Sequence, residues 1–319
     1  MPAFNKKEEA ELDPPVRAPG AQDSGVRVRP MWEMDLDRIW ELREIVRWSA
    51  DPNAFGLLRG MRDARWAIAE APDGRLIGMV GAVPLGEIGI LCHLAIHHDF
   101  RKAGLGATLS SWAVSYLLSQ RCRTVRLDST YQAEKLYRSL GFALVGHRTS
   151  YRLEKASFAD TIQGVRPREA WLQQDEVKVA PLLFGDLPEL YGVDRWSFGG
   201  DRSALILATL KRHPGWGLIA RDGSGSIKGY LVRSVSETGT RIGPFLASEP
   251  EVARALLVRA LHANGDISIE ISVPNGGQAR ALLEEFGFVG RVDRLRMELG
   301  EEPSAEGLQI YGTSPYLAT

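Results

Sequence analysis

The chain has 319 residues, 39 of them Lys or Arg against 40 Asp or Glu, with 44% hydrophobic and 25% charged residues. About 150 residues per domain favours two domains, each able to bury a core. A net charge of −1 excludes a strongly basic nucleic-acid surface or an acidic tail as the organising feature, and two cysteines are too few for a disulfide framework or a zinc cluster. No apolar run approaches the roughly 18 residues of a membrane span, and the opening MPAFNKKEEAELDPP lacks a signal peptide's apolar core. The expectation is a cytoplasmic protein with neither nucleic acid nor membrane as partner.

Residues 1–24 are polar, carry Pro14, Pro15 and Pro19, and show no periodicity, which predicts a flexible arm. VRVRP (26–30) alternates as a strand, and Leu36, Ile39, Trp40 and Val46 fall near helical spacing. RWAIAEA (65–71) and RLIGMVGAV (75–83) read as two strands about a Pro72-Asp73-Gly74 turn, followed by a third strand at 87–96. From Gly104 to Ser119, Leu105, Leu109, Trp112, Ala113, Tyr116 and Leu117 share one helix face, with Ser110, Ser111 and Ser115 opposite. RTVRLD (123–128) is a strand, Ala133 to Leu140 a short helix ended by Gly141, and 142–153 a closing strand. Residues 154–178 lose periodicity and suit a linker. In the second half, 218–235 reads as a hairpin, Glu251–Leu261 as an amphipathic helix, 267–273 as a strand, and Ala279–Phe286 as a short helix. Trp196, Phe198, Trp216 and Tyr230 are available there to a pocket or to a core.

Two Gly-Phe endings, EKLYRSLGF at Phe142 and RALLEEFGF at Phe288, stand 146 residues apart. Without gaps, that offset sets Ala133 on Ala279, Leu136 on Leu282, Ala107 on Ala253 and Ile96 on Ile242. The shared order of elements points to a duplication. The second copy lacks the first copy's polar and glycine features: Arg101 falls on Ala247, Gly104 on Pro250, Gly106 on Val252 and Tyr137 on Leu283. Chemistry is therefore expected in the first half.

In HHDFRKAGLGATL (97–109) a strand runs into a glycine-containing turn and then a helix. The first turn of a helix offers unpaired N–H groups and a positive dipole end to an anion, and Gly104 and Gly106 let it approach. A plain strand–helix connection has the same glycines. A dinucleotide fold is the competitor, because Gly104-x-Gly106 precedes Asp128 by about 22 residues, but Leu109 stands where its third glycine belongs. A Walker loop lacks its Gly-Lys-Ser/Thr.

The loop Arg101-Lys102-Ala103-Gly104-Leu105-Gly106 resembles the hallmark Arg/Gln-x-x-Gly-x-Gly/Ala of the GNAT superfamily of acyl-CoA-dependent N-acetyltransferases. Leu136-Tyr137-Arg138-Ser139-Leu140-Gly141-Phe142 matches its second hallmark, about 30 residues later and beyond a strand. The second half, with IGPFLAS (242–248), RMELG (296–300) and QIYGTS (309–314), looks like the degenerate C-terminal domain of bacterial two-domain members. The resemblance implies an α/β (α+β) fold of tandem GNAT-like domains, each a mixed, mostly antiparallel central sheet flanked by helices. It divides the chain into the arm, a catalytic domain over 25–153, the linker and a degenerate domain over 179–319.

It also implies roles. The pyrophosphate of acetyl-CoA would sit on Arg101, Lys102, Ala103, Gly104, Leu105, Gly106 and Ala107. The pantetheine arm would pair like a strand with Leu94, Ala95 and Ile96. An amine attacking the thioester must be neutral, and its oxyanion needs a donor, for which the N–H of Ala95 or Ile96 is placed by resemblance. Tyr137 matches the family's frequent general acid, although it also falls on its helix's apolar face, where a core tyrosine is equally expected. Residues 90–93 are Ile-Leu-Cys-His where many members carry a strand glutamate; His93 is the nearest candidate base, Glu87 lying further back. Thr130 replaces the usual Asn, with Asp128 and Tyr131 nearby. Cys92 and Cys122 read as structural thiols.

The expected function is transfer of an acetyl group from acetyl-CoA to the primary amine of a small molecule or peptide, without a metal, with the second domain walling the acceptor site. The alternative is a non-catalytic acyl-CoA sensor or assembly module; a dehydrogenase is a distant third. A homodimer is among the assemblies open to the chain.

Overall fold

The computed structural model describes residues 25–48, 52–154, 177–236, 239–263, 268–274 and 277–314. The expected arm and nearly all of the expected linker lie outside them.

The first half runs β1 (Arg27–Pro30), α1 (Leu36–Ile45), α2 (Pro52–Arg59), β2 (Arg65–Glu70), β3 (Leu76–Leu85), β4 (Ile88–Ile96), α3 (Leu105–Ser119), β5 (Thr124–Ser129), α4 (Glu134–Ser139) and β6 (Ala143–Leu153). The second repeats that order: β7 (Val177–Pro181), α5 (Leu187–Phe198), α6 (Ser203–Arg212), β8 (Gly217–Asp222), β9 (Ile227–Ser236), β10 (Gly239–Ala247), α7 (Pro250–His262), β11 (Ile269–Pro274), α8 (Gly277–Glu285) and β12 (Val289–Gly300). One further strand, β13 (Gln309–Gly312), has no counterpart in the first half.

All strands join one mixed sheet in the order β1-β2-β3-β4-β5-β12-β6-β11-β10-β9-β8-β7, with β13 paired to β10. Only β4–β5 and β10–β11 run parallel; the other pairs are antiparallel. The halves exchange their last strands. β12 lies between β5 and β6, while β6 pairs with β11. The sheet is thus shared by both halves rather than divided into two.

On α3, Leu105, Leu109, Trp112, Ala113 and Leu117 are buried as their spacing predicts. Ser110, expected opposite them, is also buried. α3 packs on α4 as well as on the sheet, so its buried arc is wider than one stripe. The register given to the strand before α3 is corrected too. In β4, Met79 faces Ala95 and Gly81 faces Cys92, so His93 and Leu94 bulge opposite Val80. In β10, Ile242 faces Arg233 and Phe245 faces Leu231, so Gly243 and Pro244 bulge opposite Val232. Aligning the bulges brings Ile96 to Leu246, not Ile242. The gapless offset fails because the connection to the helix is shorter in the second copy: residues 97–104 follow β4, but only Ser248 and Glu249 follow β10.

Candidate functional site

β4 and β5 pair only from Ile88 to Ile90 against Thr124 to Arg126. Beyond Ile90 the strands diverge, and β4 continues to Ile96 with that edge unpaired by β5. Such an edge offers backbone donors and acceptors to an extended ligand. At its end the chain turns through Lys102 (φ 65°) and Gly104 (φ 81°) into α3. Gly104 N-caps the helix with nothing near the position of a Cβ, and a Cβ on Gly106 would meet only Leu136 Cδ2 at 3.2 Å. The first-turn N–H groups of Leu105, Gly106 and Ala107 lack intrahelical partners, and the first turn carries no acidic residue. Lys102 and Ala103 are exposed beside them, and the Arg101 side chain bonds back to the Ile96 carbonyl at 3.2 Å. His97 and His98 stack next to this loop with ring centres 4.4 Å apart. Edge, glycine turn and free amides together fit the thioester arm and pyrophosphate of an acyl-CoA.

The matching gap between β10 and β11 is filled from within the chain. β10 pairs with β11 only from Thr240 to Ile242, after which β13 occupies the gap, Phe245 opposite Gly312 and Leu246 opposite Ile310. The Thr313 N–H reaches Ser272 O of β11 at 2.7 Å. The helix that follows, α7, starts with Pro250 and has Glu249 and Glu251 at its first turn, which repel a phosphate.

Tyr137 is buried on α4 against Phe142. Burial pushes its phenol pKa far above the ordinary value, so the hydroxyl stays protonated. The Ser110 hydroxyl lies close enough to favour the ionised phenol slightly, without hydrogen-bond geometry, and is otherwise unpartnered. Both groups stand on the α3–α4 side of the sheet.

His93 points to the other side, ringed by Trp48, Phe55 and Trp66 at centroid distances of 5.3–5.8 Å. Its backbone sits in the left-handed region (φ 52°), an unusual state for a residue with a Cβ. Arg43 lies with Nη1 3.0 Å from Nδ1. A guanidinium can only donate, so Nδ1 accepts and the ring proton belongs on Nε2, which has no partner. Burial and the Arg43 charge lower the imidazole pKa to about 3.

Asp128, weighed from sequence as a ribose ligand, is buried and chelated by Arg296 Nε and Nη2 at 3.0 and 3.1 Å. Its carboxyl stays below the ordinary range because Arg296, Arg148 and Arg126 outweigh its burial. Both thiols are buried, and desolvation pushes Cys122 up to about 11 and Cys92 higher still. Of the second-half aromatics, Trp196 is exposed, Tyr230 is buried against Asp194, and Phe198 reaches the first half's core. The residues that spacing did not single out are Arg43, Arg126, Arg296 and Ser314. A signal existed for two of them: Arg126 and Asp128, like Arg294, Arg296 and Glu298, alternate along strands and load one sheet face with charge.

No helix among the described residues is long and apolar enough to cross a membrane. A model of the acetyltransferase (GNAT) family matches residues 32–142, and a model of an acetyltransferase (GNAT) domain matches residues 191–312. The chain is 22% identical over 217 residues to YitH of Bacillus subtilis, an uncharacterised N-acetyltransferase, covering 68% of this chain and 71% of that one. Its fold is similar to a putative acetyltransferase of Pyrococcus horikoshii (TM-score 0.70, 18% identity, 92% and 96% of the two chains). It is also similar to a tandem GNAT protein from the clavulanic acid biosynthesis pathway (TM-score 0.60, 12% identity, 88% and 99%). Members of this family take an acyl-CoA co-substrate, in keeping with the open gap beside β4. With one model on each half and the element order repeated, the chain belongs to the GNAT N-acetyltransferases, in their tandem form.

Proposed function

We propose that the chain moves an acetyl group from acetyl-CoA to a primary amine by direct attack on the thioester, using the slot between β4 and β5. The observation that carries this reading is the contrast between two equivalent gaps: the first is open and ends at a glycine turn, the second is filled by β13. In it, residues 25–153 supply the acetyl-CoA site and residues 179–319 cover it, contributing β12 and Phe198.

Backbone groups of Leu94, Ala95 and Ile96 hold the pantetheine arm, and residues 101–107 hold the pyrophosphate. The neutral amine attacks the carbonyl carbon to give a tetrahedral oxyanion, whose collapse breaks the C–S bond, and a proton passes overall from nitrogen to the departing sulfur. The Ala95 or Ile96 N–H stabilises the oxyanion. Tyr137, kept protonated by burial, donates to the departing thiolate and regains its proton, through solvent, from the attacking nitrogen, which loses it to leave a neutral amide. His93 contributes as a neutral imidazole whose Nε2–H is a donor in the resting state, since Arg43 occupies Nδ1. A base is then not required of it if the acceptor arrives deprotonated.

The test is thiol release from acetyl-CoA with a panel of amines, run alongside calorimetric titration of acetyl-CoA. Binding with turnover on any acceptor supports transfer. Binding with no thiol release across the panel favours the acyl-CoA sensor instead.

A further inference from the structure

At the apex of the first gap, where Ile90 and Arg126 form the last β4–β5 pair, a narrow cavity opens. Arg126 and Asp128 line it from β5 and Arg296 from β12; Phe198, Arg202 and Ser314 close it from the second half. β13 therefore does two things. It fills the second gap and carries Thr313 and Ser314 on to the first half's site.

The cavity is rich in unused donors. Arg126 bonds only through Nε, to Glu298 at 2.5 Å, leaving both terminal nitrogens without partners among the described residues. Arg296 spends Nε and Nη2 on Asp128, and Arg202 spends the same two atoms on Asp194 and Tyr230; neither Nη1 is bonded among the described residues. The Ser314 hydroxyl is buried and has no partner among the described residues. Each of the three arginines already faces a carboxylate, so what remains is hydrogen-bonding capacity turned into a narrow space rather than a large excess of charge. The Ser314 hydroxyl is shut off from solvent, where an unmet donor is costly, and a planar acceptor with two oxygens meets it and the arginine nitrogens at once.

We propose that this cavity receives a carboxylate of the acceptor, an inference that rests on the transfer reading above. The cavity volume is about 30 Å3, where one water needs roughly 10–15 Å3, so it takes a three-atom terminal group and not a whole substrate. Burial and Arg296 both disfavour the charged form of Arg126, and an anion beside it relieves that. Along β4, Ile90 precedes Leu94 by four residues, about 13 Å at ~3.3 Å per residue. The carboxylate and the reacting amine are accordingly separated by several bonds. The substrate class is an ω-amino carboxylic acid, or a chain ending in one, rather than a molecule with both groups on one carbon.

The experiment compares 11-aminoundecanoate, whose extended chain matches that separation, its carboxamide and undecylamine by thiol release from acetyl-CoA, with propionate and propionamide followed by saturation-transfer NMR on the full chain. Expected are a kcat/KM at least tenfold higher for 11-aminoundecanoate than for either analogue, and saturation of propionate but not propionamide. Arg126→Gln should remove both preferences. Ser314→Asp, which places a carboxylate in the cavity itself without removing either partner of the Arg126–Glu298 pair, should do the same. Equal use of the three amines, or propionate saturation unchanged in both variants, overturns the proposal. If no amine releases thiol while propionate binding still depends on Arg126 and Ser314, the transfer reading fails and the carboxylate site stands.

Discussion

Phe245 and Gly312 are backbone partners across the gap that, in the first half, lies open beside β4. The Gly312 position is crowded, since a Cβ there would meet Ile271 Cγ2 at 3.0 Å and Phe245 Cβ at 3.3 Å. β13 is thus fitted to the second gap as a permanent strand. A single acetyl-CoA per chain follows, to be checked by calorimetric stoichiometry; a second site of similar affinity would contradict it.

Gly104→Val should weaken acetyl-CoA binding at least tenfold. The residue's φ of 81° strains any β-branched side chain, and the new atoms project into the open space proposed for the pyrophosphate. Calorimetry on the variant measures the affinity, and a thermal melt separates lost binding from lost fold.

Tyr137→Phe should lower kcat by about 10- to 100-fold with acetyl-CoA affinity retained. The hydroxyl has no hydrogen bond to lose, its Ser110 neighbour being out of bonding geometry, so stability should hardly change. Unchanged turnover would leave Tyr137 as a core residue only.

Acid should destabilise the protein through His93. Its folded pKa of about 3 lies below the ordinary 6.5, so the unfolded chain binds the extra proton between those values and stability falls as pH drops through that window. At pH 5 the loss is about 2 kcal/mol from this group. His93→Leu should flatten the slope of denaturant stability between pH 6.5 and 5, whatever it costs in packing.

Tyr311→Ala should cost about 3 kcal/mol of unfolding free energy. The ring is buried 5.4 Å from that of Phe245, and its hydroxyl donates to Gln278 Oε1 at 3.2 Å. Urea denaturation gives the value. If the tail also shapes the acceptor site, kcat/KM for 11-aminoundecanoate falls in the same variant while acetyl-CoA affinity does not.

Residues 25–154 expressed alone should not form a stable monomer. Without β12 and β11, β6 has no partner and β5 keeps only β4. Size-exclusion chromatography and far-UV circular dichroism check this.

Much of the frame was legible along the chain because local rules govern it. α3 follows the spacing of Leu105, Leu109, Trp112 and Leu117, and β2–β3 turn at Gly74, whose φ is 83°. The glycine loop was legible for the same reason: its amides and dihedrals belong to consecutive residues. Ser110 misled because a polar side chain inside a helix pattern reads as exposed until a second neighbour, here α4, covers it. His93 misled in another way: its role depends on Arg43, fifty positions earlier, which takes Nδ1.

By itself the sequence determined the duplicated order of elements and the half whose strand leads through a glycine turn into its long helix. Tertiary structure alone decided that the halves share one sheet by exchanging β6 and β12, that β13 fills the second gap, and that Arg126, Arg296 and Ser314 meet in one cavity. The physical reason is range. Turns, caps and amphipathic faces act within a few residues, whereas strand partners and converging donors are chosen by pairing and desolvation among segments some 170 to 190 positions apart.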